Sequence, residues 1–361
     1  MIQKTILSFY SMPAQSGQSA EIGSNAARSS HSPASPDDIH PAETDSQKNS
    51  QESGDILLSQ VGSYMGSERQ ERGHQRSSER DNRRALLRET AKETKELLPS
   101  LLAKIPQAKP SGYLYSPPIP PKLNLKFHPG LPSIKVRVLD GDSFDTAVNL
   151  ANCSQFMDIH DKKPVCVLNM ANAYRAGGGW LSGALAQEEA LCYRSSLSYT
   201  LKMRHYPLED NQAIYSPNVV IFRESFQKGH RLWDLTKPYS LPIVSVISVA
   251  ALDRPALDKN VSPPTYKNSA DRKLMKDKMR LILRVAVCNK HRRLILGAFG
   301  CGAFANPNQE VANCWAEVLQ EPEFSGWWEN IVFAVMDDGT PGVNGESNLK
   351  TFQRVLHGLV V

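Results

Sequence analysis

At 361 residues the chain is long enough for one large domain or two small ones with a substantial core. A hydrophobic fraction of 40% is slightly low for a wholly globular protein, so part of the chain is expected not to fold. The net charge of +5 permits polyanionic partners without diagnosing them, and no apolar run approaches the length of a membrane span. The six cysteines show neither a CxxC pair nor the His spacing of a zinc site. Free thiols are expected, in an intracellular, soluble and monomeric protein with no metal or other cofactor.

Residues 1–10 concentrate aliphatic and aromatic side chains ahead of a polar segment. If Ile6 to Tyr10 forms one helical turn, Ile6, Phe9 and Tyr10 share a face, and Gln3 is free for a polar contact. The pattern Gln3, Ile6, Phe9, Tyr10 resembles the peptide by which eukaryotic replication and repair proteins dock on the sliding clamp PCNA. That resemblance implies a clamp partner and a nuclear location, with the cytoplasm as a second. The same residues would also suit an N-terminal strand on the main domain. Residues 11–82 are rich in Ser, Gln, Pro and charge, cannot offset their ordering entropy by burial, and are expected to be disordered.

A folded domain is expected over residues 83–361. Apolar residues from Ala85 through Leu102 recur at helical spacing, and Pro106 and Pro110 stop the run. A proline-rich connector crosses residues 116–132, and Ile134, Val136 and Val138 alternate as in a strand. Asp142 is placed to cap a helix reaching Asn152. Strands are then predicted at residues 165–168, 214–222, 243–249, 294–299 and 331–336. Helices are predicted at 187–203, 274–289, 309–319 and 347–356, with surface insertions at 227–240 and 254–271. Alternating strands and helices predict an α/β layered fold with both faces of the sheet covered.

Three stretches carry chemistry, each at or near a strand end, where α/β sheets place ligands. Asn169-Met170-Ala171-Asn172 leaves one strand, and each asparagine amide suits either a sugar diol or a cap on its own loop. Gly177-Gly178-Gly179 lets the backbone approach closely, and Gln187-Glu188-Glu189 then delivers two carboxylates to a helix start. Small residues from Gly297 to Ala305 can turn successive N–H groups into an anion nest, with Phe304 able to stack on a ribose or base or to join the core. No Gly-Lys-Ser follows, which argues against nucleotide triphosphate hydrolysis.

Asn172, Gly-Gly-Gly-x7-Gln-Glu-Glu at residues 177–189 and Gly-Cys-Gly-Ala-Phe at 300–304 resemble the shorter, microbial type of poly(ADP-ribose) glycohydrolase. The resemblance covers residues 83–361 and implies a three-layer α/β/α macrodomain with a mixed central sheet. It implies that Glu189 is the acid/base and that Glu188 holds the ribose hydroxyls. Asn172, Gln187 and the backbone of Gly177, Gly178 and Gly179 would contact the substrate at its ribose or diphosphate. The backbone of Phe299, Gly300, Cys301, Gly302, Ala303 and Phe304 would hold the diphosphate. Successive helical residues diverge by about 100°, so the two glutamates can hardly flank a glycosidic bond, and one glutamate acting twice fits better. The expected substrate is poly(ADP-ribose). The alternatives are mono-ADP-ribose on protein or DNA, and a non-catalytic ADP-ribose reader.

Overall fold

The structure is a computed structural model and describes residues 78–108, 110–154 and 163–361. The clamp-like peptide with Gln3, Ile6, Phe9 and Tyr10, and the expected tail up to residue 77, lie outside the described residues. Residues 78–82, expected in that tail, are instead the first turn of helix α1, which covers residues 78–103. Leu87, Ala91, Thr94, Leu98 and Leu101 form its buried stripe, spaced by fours and threes as a packed helix requires.

After α1 come β1 (Tyr113–Tyr115), β2 (Arg137–Leu139), α2 (Ser143–Ser154) and β3 (Cys166–Ala171). Next are α3 (Gln187–Arg194), α4 (Leu197–Thr200), β4 (Ala213–Val220) and β5 (Ile243–Ala250). A small hairpin of β6 (Leu257–Asp258) and β7 (Thr265–Tyr266) leads into α5 (Ser269–Cys288). The chain closes with β8 (Arg293–Leu296), α6 (Asn308–Leu319), β9 (Asn330–Ala334) and α7 (Asn348–Leu356).

Seven strands make one mixed sheet in the order β1-β4-β5-β3-β8-β9-β2. The five strands from β5 to β2 run parallel, while β4 is antiparallel to both of its neighbours. Strand alternation assigns side chains to two cores. Cys166, Leu168, Leu294, Leu296, Ile331 and Phe333 meet α5, α6 and α7 on one face. Val165, Val167, Ile295 and Val332 meet α1, α2 and α3 on the other. The three-layer arrangement with a mixed sheet is as expected. Asp142 Oδ1 accepts from the N–H groups of Phe144 (2.8 Å) and Asp145 (3.0 Å), capping α2.

Three elements depart from expectation. The helix predicted to run from Gln187 to residue 203 breaks after Arg194. Ser195 is extended there and bridges Ile221, and the Ser196 N–H donates to the Val220 carbonyl (3.0 Å), so the end of β4 competes for this backbone. The stretch read as an insertion at 254–271 contains the hairpin and the first turn of α5. Strand β1, three residues beside a proline-rich connector, gave no periodic signal. None of the described helices is long and apolar enough to cross a membrane.

Candidate active site

The carboxyl ends of β3, β5, β8 and β9 open onto a cavity of about 680 Å³. Met170 to Asn172 line it at the end of β3, Ala251 after β5, Ala298, Gly300 and Gly302 to Phe304 after β8, and Ala334 to Met336 at the end of β9. Helix α3 starts on this cavity, so Glu188 and Glu189 sit in its first turn, where the helix dipole favours negative charge.

Both glutamates are buried, Glu188 at 3% exposure and Glu189 at 9%, and both line the cavity. Glu188 Oε2 accepts from the Asn172 N–H (2.8 Å) and Oε1 from Asn169 Nδ2 (3.2 Å). Burial pushes the Glu188 carboxyl up to about 8, reinforced by the Glu189 charge and opposed by the Asn172, Asn169 and Gly177 donors. Glu189 is held differently: Oε1 accepts from the Gly179 N–H (2.8 Å) and Oε2 from the Ala186 N–H (3.0 Å). The triple glycine therefore supports the carboxylates from behind, and none of its three residues lines the cavity. At Gly178, where φ is +60°, an added Cβ would overlap Glu189 Oε1 and come within 3.0 Å of Glu188 Oε2.

The amide of Gln187 is spent on the backbone of β3. Nε2 donates to the Leu168 carbonyl (2.7 Å) and Oε1 accepts from the Met170 N–H (3.0 Å). Asn172 Oδ1 accepts from the N–H groups of Tyr174 (2.8 Å) and Arg175 (2.9 Å), an Asx turn that shapes the loop. For Asn172 the loop cap is the reading seen in the hydrogen bonds. Asn169, read in the sequence as suiting a sugar diol or a loop cap, is wholly buried against Glu188 and also donates to Ser248 Oγ (3.0 Å). Its Oδ1 has no partner among the described residues.

The 297–307 loop is narrower in function than its composition implies. The N–H groups of Phe299, Cys301, Ala305 and Asn306 donate to carbonyls within the loop. The side chains of Phe299 and Cys301 are buried in the core, away from the cavity. These two residues do not belong to the anion nest, because their donors are already spent. Gly300, Gly302, Ala303 and Phe304 line the cavity, and their N–H groups donate to no group among the described residues. Asn306 fixes the turn from inside, donating from Nδ2 to the carbonyls of Leu252 (2.7 Å) and Gly300 (3.0 Å).

The far wall holds residues that no local motif marked, among them Arg194, Phe226 and Asn348. Arg194, fully buried, pairs with Asp142 and with Asp145 (2.5 Å). Burial alone would raise the Asp145 carboxyl, yet the Lys228 bond, the Arg194 charge and the Ser225 hydroxyl outweigh it and lower it. These partners lie about fifty positions apart in the chain, beyond any spacing rule.

Residues 84–224 match the model of the microbial-type PARG catalytic domain. The matched region contains the triple glycine and both glutamates and ends before the anion nest. Solved structures extend the likeness. Poly(ADP-ribose) glycohydrolase from Thermomonospora curvata is 27% identical with a TM-score of 0.61, over 75% of this chain and 99% of that one. The same enzyme bound to the inhibitor ADP-HPD gives 26% and 0.54 over the same shares. A point variant of the Deinococcus radiodurans enzyme in complex with ADP-ribose gives 27% and 0.56, over 72% of this chain and 98% of that one. No curated protein matches the chain by sequence.

Proposed function

We infer that the chain is a poly(ADP-ribose) glycohydrolase, which hydrolyses ribose–ribose O-glycosidic bonds and releases ADP-ribose. One observation carries the reading: a buried glutamate pair shares a cavity with four unspent backbone N–H groups, a sugar-bond site beside a diphosphate site. The similar enzymes captured with ADP-ribose and with ADP-HPD support the same ligand class. The N–H groups of Gly300, Gly302, Ala303 and Phe304 hold the diphosphate, and Phe304 packs on the adjoining ribose.

Burial holds the Glu188 carboxyl up to about 8, so Glu188 keeps its proton at neutral pH. Glu189, positioned by Gly179 and Ala186, protonates the departing ribose oxygen as the glycosidic C–O bond breaks. The resulting oxocarbenium-like centre is stabilised by the substrate diphosphate. The Glu189 carboxylate then takes a proton from the incoming water, whose oxygen bonds to the anomeric carbon. Glu188 holds the ribose hydroxyls, and Gln187 and Asn172 act by shaping the loop beneath.

The test sets poly(ADP-ribosyl)ated protein beside ADP-ribosylated DNA, each with the wild type and Glu189→Gln. The wild type is expected to consume polymer. Glu189→Gln should retain ADP-ribose binding and lose turnover by about 10²–10⁴-fold, the usual span for a positioned acid/base. Turnover of the DNA adduct alone would transfer the same chemistry to a mono-ADP-ribose substrate, and binding without turnover by the wild type would make the chain a reader. A narrower proposal rests on sequence pattern alone: Gln3, Ile6, Phe9 and Tyr10 dock the enzyme on PCNA in the nucleus. Titration of a peptide of residues 1–20 against the clamp, with and without Phe9→Ala and Tyr10→Ala, decides it.

A further inference from the structure

Helix α1 is charged asymmetrically. At about 100° per residue, Arg84, Arg88, Lys92 and Lys95 fall within an arc of about 80°, and Glu89, Glu93 and Glu96 fall on the adjoining arc. Glu93 is engaged by Arg223 at 2.5 Å. The four cations are exposed, and none forms an ion pair with another described residue. Arg88, Lys92 and Lys95 line a shallow groove with Ala91, Glu96 and Leu181. Leu181 is 55% exposed and belongs to the turn that follows Gly179.

The groove and the catalytic cavity share the loop between Gly179 and α3, with Leu181 lining the groove and Leu185 and Ala186 the cavity. Arg83, one residue before the basic arc, lines that cavity. Gly183 lies so close to the Arg84 carbonyl that a Cβ there would overlap it, which seats α1 directly on the loop between Gly179 and α3. Gly179 itself holds Glu189, so a chain leaving the carboxylates across this loop meets Leu181 and then the basic arc. From Arg84 to Lys95 the track is about 16 Å long at 1.5 Å per residue. No aromatic side chain lines the groove, so it offers charge to phosphates rather than a surface for stacking bases.

We propose that the α1 groove binds the part of poly(ADP-ribose) beyond the scissile bond, through the diphosphates of the following units. The proposal rests on the glycohydrolase reading and deepens it: the enzyme is built for polymer rather than for a single ADP-ribose. Lysines and arginines spaced along one helix flank neutralise successive phosphates, while the unit being cleaved occupies the cavity.

The experiment uses the full chain, with Arg88→Ala, Lys92→Ala and Lys95→Ala combined, all exposed positions outside the catalytic cavity. Three quantities are measured for the wild type and the triple variant: kcat/KM on long-chain polymer, kcat/KM on a two-unit ADP-ribose dimer, and direct affinity for long polymer across salt concentrations. Free ADP-ribose affinity, expected to be equal in both proteins, reports an intact cavity. The variant should lose about tenfold or more in kcat/KM and affinity on long polymer at low salt and lose much less on the dimer, which offers the groove a single diphosphate. The slope of log affinity against log salt should flatten by about 2, the value for three phosphates on a single strand. Equal affinity of both proteins for long polymer overturns the groove, whatever the turnover. Equal loss on polymer and dimer overturns it too, since the cations would then serve the cavity. Loss of affinity for single-stranded DNA with none for polymer assigns the track to nucleic acid and also overturns it. A wild type that binds long polymer but cleaves none refutes the glycohydrolase reading, while the affinity comparison still decides the groove.

Discussion

Glu188→Gln should reverse part of the protein's pH dependence of stability. The carboxyl has an ordinary value of 4.5 and is pushed up to about 8 in the fold by burial and the Glu189 charge. Between those values the folded protein binds a proton that the unfolded chain has released, so stability falls as pH rises through the interval. At about 1.4 kcal/mol per pH unit, the interval corresponds to a loss of about 5 kcal/mol, complete slightly above pH 8. Glutamine carries no such charge and removes this slope. Glutamine keeps the size of the side chain and an amide oxygen to accept from the Asn172 N–H. The assay is urea denaturation of wild type and variant at intervals from pH 5 to 9. The difference in unfolding free energy, variant minus wild type, should grow steadily with pH and level off near 8. Only the change in that difference matters, so any constant effect of the new side chain cancels. Parallel curves would refute the assignment of a proton to the buried Glu188.

The same proton sets the reaction. kcat/KM on polymer should fall as pH rises through about 8, where Glu188 loses its proton and can no longer donate to the ribose hydroxyls, and a profile flat from pH 7 to 9 would exclude that role. Gly178→Ala should destabilise the fold by about 1–3 kcal/mol, the range for a strained left-handed residue. It should also lower kcat more than ADP-ribose affinity, because the added methyl displaces both carboxylates. Arg194→Met should cost about 3–5 kcal/mol, since it leaves Asp142 and Asp145 without their buried cation. Chemical denaturation measures it, and a loss below 1 kcal/mol would show that Lys228 and the helix start suffice for both carboxylates.

Much of the architecture was legible because buried strands announce themselves as apolar runs: β3, β5, β8 and β9 lie where those runs fall. Boundaries failed where tertiary contacts overrule local preference. Ser195 and Ser196 leave a helical pattern because β4 offers their backbone partners. The glutamate pair was readable because its signature is local, a glycine turn and a helix start within thirteen residues. Which N–H groups remain free in the 297–307 loop was not readable. The same small residues supply both internal and outward donors, and only the turns of Gly300 and Asn306 separate them. The groove on α1 lay between the two cases: its charges are plain in the sequence, but their neighbour, Leu181, arrives from another segment.

Gln187 shows how the sheet can open without leaving its backbone unsatisfied. Strand β3 is paired with β5 along its whole length but with β8 only at Cys166 and Val167. Beyond that point β8 turns away into its loop, and the Leu168 carbonyl and Met170 N–H would face an empty edge. The Gln187 amide makes to them the two bonds that a residue of a parallel neighbour would make. One side chain thus impersonates a missing strand residue, and the two strands can part just where room for a ligand is needed. The residue beside the glutamates is in this sense a keystone of the fork between β3 and β8. Its replacement would close the gap or leave two backbone groups stranded there.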